Sequence, residues 1–520
     1  HPGAVTEWLP AAIRERLAMP TLMEALAQVH APGPDADIEA LVAGRHPAVR
    51  RLAFEELLAH RLSLLRLRAT LQAQAPAPAF SAGDHLCQRL RSALGFELTA
   101  AQQRVLAEVA ADMAESRPML RLIQGDVGSG KTVIAALAAL RAVASGWQTA
   151  IMAPTELLAE QHLRSFRAWL EPLSIGVGWL SGRSAAAQRR AMLAALRAGE
   201  VDVVVGTHAL FQEAVAFRAL GLVVVDEQHR FGVHQRLALR DKGAGGTQPH
   251  QLVMTATPIP RTLAMTAYAD LDLSVIDELP PGRTPVTTVA LPDARREEVI
   301  ERIRHACAAG RQAYWVCTLV ETSEALAAEA AEATAERLAE QLPELRIGLV
   351  HGRVAAADKE AVMARFEAGE IDLLVATTVI EVGVNVPNAS LMIIENAERL
   401  GLAQLHQLRG RVGRGETQSS CVLLYHAPLG ETARARLGIL RDSNDGFRIA
   451  RRDLEIRGPG EVLGTRQTGA LAYRIADLLR DGDLLDLVQS VAPALLRDHP
   501  DAATGLIRRW VGEGERYAQV

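Results

Sequence analysis

The sequence has few cysteines and no long apolar run, and each shortage excludes a class of protein. The four cysteines, Cys87, Cys307, Cys317 and Cys421, show no CxxC spacing, which argues against a structural zinc site or a disulfide framework. No apolar run approaches the roughly 18 residues of a membrane helix, so no membrane span is expected. The N-terminus shows no secretory signal pattern. We therefore expect a protein of the reducing cytoplasm.

A large excess of either charge is also lacking. The 520 residues carry a formal net charge of −5, with 49% hydrophobic and 22% charged residues. These values are typical of a soluble globular protein of about three or four domains. They are unlike those of a protein that simply coats nucleic acid, although a localised basic groove is compatible with them. The first residue is not methionine, so we expect the chain to begin inside a longer parent protein.

Lysine is rare, and one lysine lies in the most informative stretch of the chain. Only Lys131, Lys242 and Lys359 occur among the 56 lysines and arginines. Lys131 belongs to RLIQGDVGSGKT, which fills all four fixed positions of the GxxxxGK[ST] phosphate loop. A short apolar run precedes the loop and an Ala- and Leu-rich helical stretch follows it. A lysine kept in an arginine-rich chain indicates a position where a forked guanidinium would not serve.

This loop predicts a site for a nucleoside triphosphate. Gly125, Gly128 and Gly130 let backbone N–H groups close around the β- and γ-phosphates at a helix N-terminus. Lys131 supplies a point charge, and Thr132 offers a hydroxyl to Mg²⁺. A glycine turn before a core helix is the structural alternative, and the complete motif disfavours it.

Two further segments extend the predicted site. Asp226 and Glu227 follow the apolar run LVVV, and we expect the first to hold Mg²⁺ through water and the second to polarise the attacking water. For His229, two positions after Glu227 in DEQH, a coupling role is favoured over that of a purely structural histidine. Gln102 lies upstream of the loop, and its amide can both donate and accept, which suits the edge of adenine. ATP and Mg²⁺ are therefore the predicted cofactors.

Apolar strands alternate with helical segments on both sides of DELPPGRTPV at 277–286, whose adjacent prolines mark a linker. Such alternation predicts two parallel sheets with ligands at the carboxyl ends of the strands. Threonines at those ends are predicted to hold sugar-phosphate oxygens, although a single threonine there is often only a helix cap. They are Thr155, Thr207, Thr255, Thr257 and Thr377.

The second half carries no phosphate loop but contains QLRGRVGR at 407–414. Arg411 and Arg414 are three positions apart and share a face if this segment is helical. An arginine brought across from a second lobe neutralises γ-phosphate charge in many NTPases, and Gln407 lies in the same motif. An exposed turn is the alternative.

Residues 1–85 are predicted to be helical and structural. Leucines recur at helical spacing within 51–72, with arginines between them. They are Leu52, Leu57, Leu58, Leu62, Leu65 and Leu71. A bracing helix with a solvated arginine face is favoured over contact with a polyanion.

The motifs resemble, in order, those of superfamily 2 helicases over about residues 95–415: GDVGSGKT, MAPTELLAEQH, VVVGTHAL, VVVDEQHRFGVHQR, MTATPIPRTLAMT, LVATTVIEVGV and QLHQLRGRVGRG. The next segment is similar to that of the RecG family of bacterial replication-fork and junction translocases, RDSNDGFRIARRDLEIRGPGEVLGTRQTG at 441–469. The Mfd family has a related two-lobe motor, but the GPGEVLGTRQTG wording looks like RecG.

The resemblance implies an α/β fold with two tandem RecA-like parallel-sheet lobes, an N-terminal helical segment and a C-terminal helical hairpin region. The expected divisions are 1–85 for the bracing segment, 86–278 and 279–428 for the lobes, and 429–520 for the hairpin and tail. The hairpin would convert lobe closure into movement along duplex DNA. The segment 441–469 contains six arginines and five acidic residues, so its overall charge does not predict DNA binding. Particular arginines are instead expected to contact the DNA, namely Arg448, Arg452 and Arg466.

Two departures from the family are expected to matter. The family usually begins with an OB-fold wedge domain that splits strands at a branch point, and this chain starts after that place. Grip on single strands by stacked aromatics is therefore expected to be missing. Asn385 stands where the family more often has aspartate, so a ribose or Mg²⁺-shell contact there would lose its charge.

By this resemblance the protein is an ATP-driven double-stranded DNA translocase that remodels stalled forks and Holliday junctions in recombination and repair. Branched and duplex DNA are its expected partners, with a single-strand DNA-binding protein to recruit it. A monomer associated with the nucleoid is expected. Two alternatives stay open: an Mfd-like motor that acts on stalled RNA polymerase, and a nucleotide-gated clamp that does not move along DNA.

Overall fold

The computed structural model describes residues 5–73, 75–227, 242–243, 246–257, 271–279, 284–318, 324–378, 386–413, 418–457 and 473–512. They form two units. The smaller unit comprises the described residues within 1–75, 260–272 and 457–520, and the larger comprises those within 76–259 and 273–456. The larger unit contains two α/β lobes, each built on one sheet.

The helices and strands follow in chain order. The N-terminal helices are α1 (Ala11–Arg16), α2 (Leu22–His30), α3 (Ile38–Val42) and α4 (Pro47–Ala73). The first lobe contains α5 (Asp84–Ala93), α6 (Ala100–Met113), β1 (Leu120–Gly125), α7 (Lys131–Ala144), β2 (Gln148–Met152), α8 (Glu156–Leu170), β3 (Val177–Leu180), α9 (Ala186–Ala198), β4 (Val203–Gly206), β5 (Leu220–Asp226), β6 (His250–Thr255) and β7 (Asp272–Ile276). The second lobe contains β8 (Thr287–Pro292), α10 (Arg296–Ala308), β9 (Gln312–Val316), α11 (Glu324–Gln341), β10 (Ile347–Val350), α12 (Ala356–Glu367), β11 (Leu373–Ala376), β12 (Ala389–Ile394), α13 (Leu402–Arg409) and β13 (Ser420–Tyr425). The last helices are α14 (Glu431–Asp442), α15 (Gly446–Arg457), α16 (Leu484–Asp498) and α17 (Pro500–Trp510).

The first sheet has seven strands in the order β3-β4-β2-β5-β6-β1-β7. Strand β5 is buried along its whole length, as expected for an apolar strand of a parallel sheet covered on both faces. Strands β5, β6 and β1 are parallel neighbours, in which Asp226 pairs with Met254 and Gln124 pairs with Thr255. Their carboxyl ends therefore lie side by side, and the segments that follow them meet at one edge of the sheet.

The second sheet has six strands in the order β10-β11-β9-β12-β13-β8, and its pairs are parallel. Its core packs around the buried side chains of Tyr314 and Phe366, whose rings meet edge to face. Leu437 and Leu440 of α14 and Ile449 of α15 belong to the same core. The predicted pair of parallel-sheet lobes is confirmed, and the pair of helices after the second sheet packs on that lobe.

Helix α4 organises the smaller unit. Its 27 residues span about 40 Å, and it packs against α2, α16 and α17. The predicted apolar face is buried at Leu52, Leu57, Leu58 and Leu62. The expected solvated arginine face is wrong at Arg51, which is fully buried and lies 2.7 Å from a carboxylate oxygen of Glu55 and 2.9 Å from one of Glu7. Paired charges make this burial tolerable.

Several general features of the described residues bear on function. No helix among them has both the length and the hydrophobicity of a membrane-spanning segment, and they contain no group of three His, Cys, Asp or Glu side chains that could hold a metal. The four cysteines are buried free thiols. Burial raises the pKa of Cys307 to about 11, so this thiol stays protonated and unreactive at neutral pH.

Candidate functional site

The glycine loop connects β1 to α7 and depends on its glycines. Gly128 and Gly130 have φ values of 79° and 87°, a left-handed conformation that other residues rarely adopt. A Cβ on Gly130 would lie 2.3 Å from Nε2 of Gln102, and a Cβ on Gly125 would lie 2.5 Å from Oγ of Ser129. The loop therefore has room only for glycine at these places and presents backbone rather than side chains.

Lys131 is the first residue of α7 and is buried. Its Nζ donates to the carbonyl oxygens of Gly125 at 2.7 Å and of Asp126 at 2.9 Å. Thr132 follows in the same turn and is half-buried. An ammonium group and a helix N-terminus thus lie at the inner side of the loop, where an anionic phosphate would be stabilised.

Gln102 supports the loop from α6. Its Nε2 donates to the carbonyl oxygen of Ser129 at 2.8 Å, and its Oε1 accepts the backbone N–H of Thr99 at 2.9 Å. The second bond belongs to a capping box in which the Thr99 side chain accepts from the backbone N–H of Gln102. Gln102 therefore ties the start of α6 to the phosphate loop, and its contact with adenine stays a prediction.

Asp226, at the end of β5, is buried and bonded to a histidine that the sequence did not single out. Nε2 of His162, from α8, donates to Oδ2 of Asp226 at 2.7 Å. Burial opposes ionisation, but the hydrogen bond and charge of His162 and the charge of Lys131 outweigh it, so the pKa of Asp226 stays below its usual value. The carboxylate is therefore ionised at neutral pH, as a ligand for a hard divalent cation must be.

Glu227 has the opposite electrostatic balance. Burial and the adjacent charge of Asp226 raise its pKa to about 7, while Lys131 and Arg411 act in the other direction. A carboxyl group with a pKa near the working pH is suited to accept a proton from water. The two adjacent carboxyl groups thus have distinct protonation behaviour, as the predicted division of roles between them requires.

The backbone and neighbours of Glu227 fix its side chain. Its φ of 52° is left-handed, and its N–H donates to the carbonyl oxygen of Met254 at 2.9 Å. The carboxylate accepts from the N–H of Ala256 at 3.2 Å and from the hydroxyl of Thr255 at 3.4 Å. A residue held in a rarely populated backbone conformation at a strand end often marks a functional position.

The second lobe reaches this site through α13 and the turn after it. Nε2 of Gln407 donates to the Thr257 hydroxyl at 2.6 Å, and His406 bonds a carboxylate oxygen of Asp126 at 2.5 Å. Arg411 is half-buried, and its charge lowers the pKa of Glu227. Side chains of both lobes therefore surround the loop and the acidic pair.

The other predicted residues include strand-end threonines and arginines of α15. The Thr155 hydroxyl caps α8 by accepting the N–H of Leu158 at 3.4 Å. The Thr207 hydroxyl is buried without a hydrogen-bond partner among the described residues, and Thr377 is also buried. On α15, Arg448 and Arg452 are exposed, and Arg452 donates to Glu455 at 2.6 Å. Their contacts with DNA stay predictions, as do those of Thr255 and Thr257.

Four predicted site residues lie outside the described residues. They are His229, Asn385, Arg414 and Arg466. In turn, the structure adds residues that sequence reasoning did not identify: His162 beside Asp226, and His406 beside the phosphate loop. Both lie within segments with a motif-like sequence, TELLAEQH and QLHQLRGR, but a histidine in a motif does not reveal its partner.

Family comparisons agree with this arrangement. Residues 99–266 match the DEAD/DEAH box helicase family, 291–416 match the helicase conserved C-terminal domain, and 443–506 match the C-terminal part of domain 3 of ATP-dependent DNA helicase RecG. The chain is 63% identical over 517 residues to the ATP-dependent DNA helicase RecG of Escherichia coli O157:H7, which covers 99% of the chain and 74% of that relative. The chain belongs to the RecG family.

More distant members of the RecG family show the same likeness. The ATP-dependent DNA helicase RecG of Bacillus subtilis (strain 168) is 42% identical over 489 residues, covering 94% of the chain and 70% of that relative. A solved structure of RecG bound to a three-way DNA junction has a TM-score of 0.70 at 40% identity. It covers 93% of this chain, which spans 62% of the length of that RecG. The match at 443–506 favours the RecG family over the Mfd alternative.

Proposed function

We propose that this protein is an ATP-driven double-stranded DNA translocase that remodels stalled replication forks and Holliday junctions in recombination and repair. The observation that carries the proposal is the meeting of two lobes at one site. A phosphate loop and an acidic pair with separated pKa values come from the first lobe, and Gln407 and Arg411 come from the second. The chain also belongs to a family of ATP-dependent DNA helicases.

The residues of this site divide the work of ATP hydrolysis. The loop N–H groups and Lys131 bind and orient the phosphates, and Glu227 accepts a proton from the attacking water. Arg411, with Arg414, stabilises the negative charge that develops on the transferred phosphoryl group. The ionised Asp226 and the Thr132 hydroxyl fit Mg²⁺, which when bound neutralises phosphate charge.

The division of the ATP site between the two lobes would allow ATP turnover to drive movement along DNA. ATP binding would draw the arginines of the second lobe toward the phosphates, and product release would relax them. Contacts such as Gln407 with Thr257 would form and break in this cycle. The exposed arginines of α15, Arg448 and Arg452, would contact the DNA backbone without reading its sequence.

The DNA partner is proposed from the relatives. A RecG relative has been solved on a three-way DNA junction, which supports branched DNA as the substrate of this chain. Recruitment by a single-strand DNA-binding protein, a monomeric state and a location at the nucleoid belong to the same proposal and rest on the family resemblance alone.

Steady-state ATPase assays with several DNAs test the proposal directly. We expect turnover to rise with the length of linear duplex and to be highest on forks and four-way junctions, with little stimulation by single strands. A clamp would show little continuous turnover on any DNA. An Mfd-like motor would displace stalled RNA polymerase in a nucleotide-dependent manner and would show no preference for branched DNA.

A further inference from the structure

A chain of hydrogen bonds leads from the phosphate loop into the second lobe. Asp126 of the loop bonds Nε2 of His406 at 2.5 Å, and Nδ1 of His406 bonds Nη2 of Arg409 at 2.8 Å. His406 is 5% exposed and Arg409 is 3% exposed, so both are shielded from water. Buried polar side chains are retained only when their bonds are satisfied, and here each one is bonded to the next.

The direction of these bonds is fixed by the arginine. A guanidinium group can only donate, so Nδ1 of His406 must accept from Arg409. In a neutral imidazole the other nitrogen then carries the hydrogen, and Nε2 donates to the Asp126 carboxylate. His406 is thereby held in one tautomer and one orientation between an anion and a cation, an arrangement that makes its hydrogen bonds strong.

Arg409 continues the chain to the helical pair after the second sheet. Its Nη1 donates to the carbonyl oxygens of Leu440 at 2.9 Å and of Ser443 at 2.7 Å. These carbonyls lie at the C-terminal end of α14, where helix carbonyls lack partners and a positive charge is favourable. The guanidinium thus lies at the junction between α14 and α15.

Backbone packing independently brings the two lobes together at the same place. Gly410, directly after α13, faces the loop so closely that an added Cβ would lie 3.0 Å from Cβ of Val127 and 3.2 Å from its Cγ2. Gly410 has a φ of −66°, so its backbone imposes no need for glycine. A Cβ there would force Val127 to shift by a few tenths of an ångström, so the end of α13 is tightly packed against the phosphate loop.

Lys131 would link phosphate binding in the loop to this series of hydrogen bonds. Lys131 Nζ donates to the backbone of Asp126, whose side chain bonds His406. A phosphate bound in the loop competes for the same ammonium hydrogens and so changes the backbone environment of Asp126. The occupancy of the loop and the first bond of the chain are therefore linked through a single residue.

We propose that Asp126, His406 and Arg409 form a positioning relay that couples the state of the phosphate loop to the junction of α14 and α15. The relay rests on the proposed function, because it assigns a route by which ATP turnover reaches the helices that act on DNA. The side chains of His406 and Arg409 lie outside the phosphate loop and take no part in the hydrolysis step proposed above. Loss of either of these two side chains is expected to uncouple DNA from ATP hydrolysis rather than to prevent hydrolysis.

The test compares ATP turnover with and without duplex DNA for the 520-residue chain and its variants. We expect His406→Ala to lower the stimulation by DNA about tenfold, since it removes hydrogen bonds to charged partners. His406→Gln, whose amide keeps one acceptor and one donor, should restore most of the stimulation. The KM for ATP without DNA should change much less than the stimulation ratio.

Matched controls separate the relay from general contact between lobes. Arg164→Ala breaks a different pair between the lobes, Arg164 with Glu367 at 3.0 Å, and should leave the stimulation ratio unchanged. The double variant Asp126→Ala with His406→Ala should be stimulated by DNA no less than the more impaired single variant, because both single substitutions break the same Asp126–His406 bond. Gly410→Ala adds a methyl group against Val127 and should also lower the stimulation by DNA. It provides a second test of the relay if His406→Ala does not fold.

The outcomes are distinguishable. An unstimulated wild-type chain would contradict the proposed function itself. A stimulated wild type with an unchanged ratio in His406→Ala and Gly410→Ala would contradict the relay alone. Equal losses of turnover with and without DNA would also overturn it, because they would show a local effect on hydrolysis.

Discussion

Glu227→Gln is expected to stop ATP hydrolysis and, above pH 7, to stabilise the protein. Between pH 4.5 and about 7 an unfolded chain has lost the Glu227 proton while the folded chain keeps it. The unfolded state then binds fewer protons, so the free energy of unfolding falls as pH rises through this range. The folded state therefore loses stability from this carboxyl group as pH rises from 4.5 to about 7 and does not regain it above pH 7, and glutamine, which does not ionise, removes the loss.

The magnitude follows from the pKa difference. A shift from 4.5 to about 7 corresponds to about 3 kcal/mol at full ionisation. The amide oxygen of glutamine can still accept the N–H of Ala256, so the substitution keeps the hydrogen bond that positions the side chain. The variant should therefore gain up to about 3 kcal/mol at pH 8 and almost nothing at pH 4.5.

The assay is urea unfolding of the wild type and the variant across this pH range, paired with single-turnover ATPase. We expect the two stability curves to diverge with rising pH, and hydrolysis by the variant to fall at least about 10²-fold while ATP binding persists. Parallel stability curves would refute the raised pKa. Turnover at the wild-type rate would show that another group accepts the proton from water.

Three other substitutions probe separate parts of the structure. Lys131→Ala should abolish ATP turnover because the phosphates lose their point charge, and a turnover assay with titrated ATP checks this. Arg448→Ala should leave nucleotide binding intact but reduce strand displacement per ATP hydrolysed, and a parallel fall in both would contradict a coupling role. Glu56 is fully buried on α4 and accepts the backbone N–H groups of residues 474–476 at 2.6 to 2.9 Å. Glu56→Gln, which keeps one acceptor oxygen, should speed hydrogen exchange at those amides about tenfold or more, with exchange in the first sheet unchanged as the control.

Much of the fold and part of the site could be predicted because the relevant signals are local. The glycine loop and the acidic pair are short segments whose spacing carries the chemistry. The alternation of apolar strands and helices predicts parallel sheets. Parallel sheets in turn predict ligands at strand ends, which is where the loop and Glu227 lie.

The partners of the histidines could not be predicted because they depend on tertiary packing. His162 and Asp226 are 64 positions apart, and His406 and Asp126 are 280 positions apart. A single histidine is compatible with many partners, and no periodicity links these pairs. Arg51 was misjudged in part for a similar reason, since its partner Glu7 lies 44 positions away in the chain, whereas its other partner, Glu55, is a local one four positions along α4.

If two lobes complete one site for a triphosphate, the guanidinium of Arg411 from the second lobe must contribute to catalysis, and Arg411→Ala removes it. The measurement is kcat for DNA-stimulated ATP hydrolysis beside the equilibrium affinity for ATP. We expect kcat to fall by about 10³-fold or more while ATP still binds, because the guanidinium acts on charge that develops during transfer. An unchanged kcat in Arg411→Ala would show that the first lobe hydrolyses ATP without an arginine from the second.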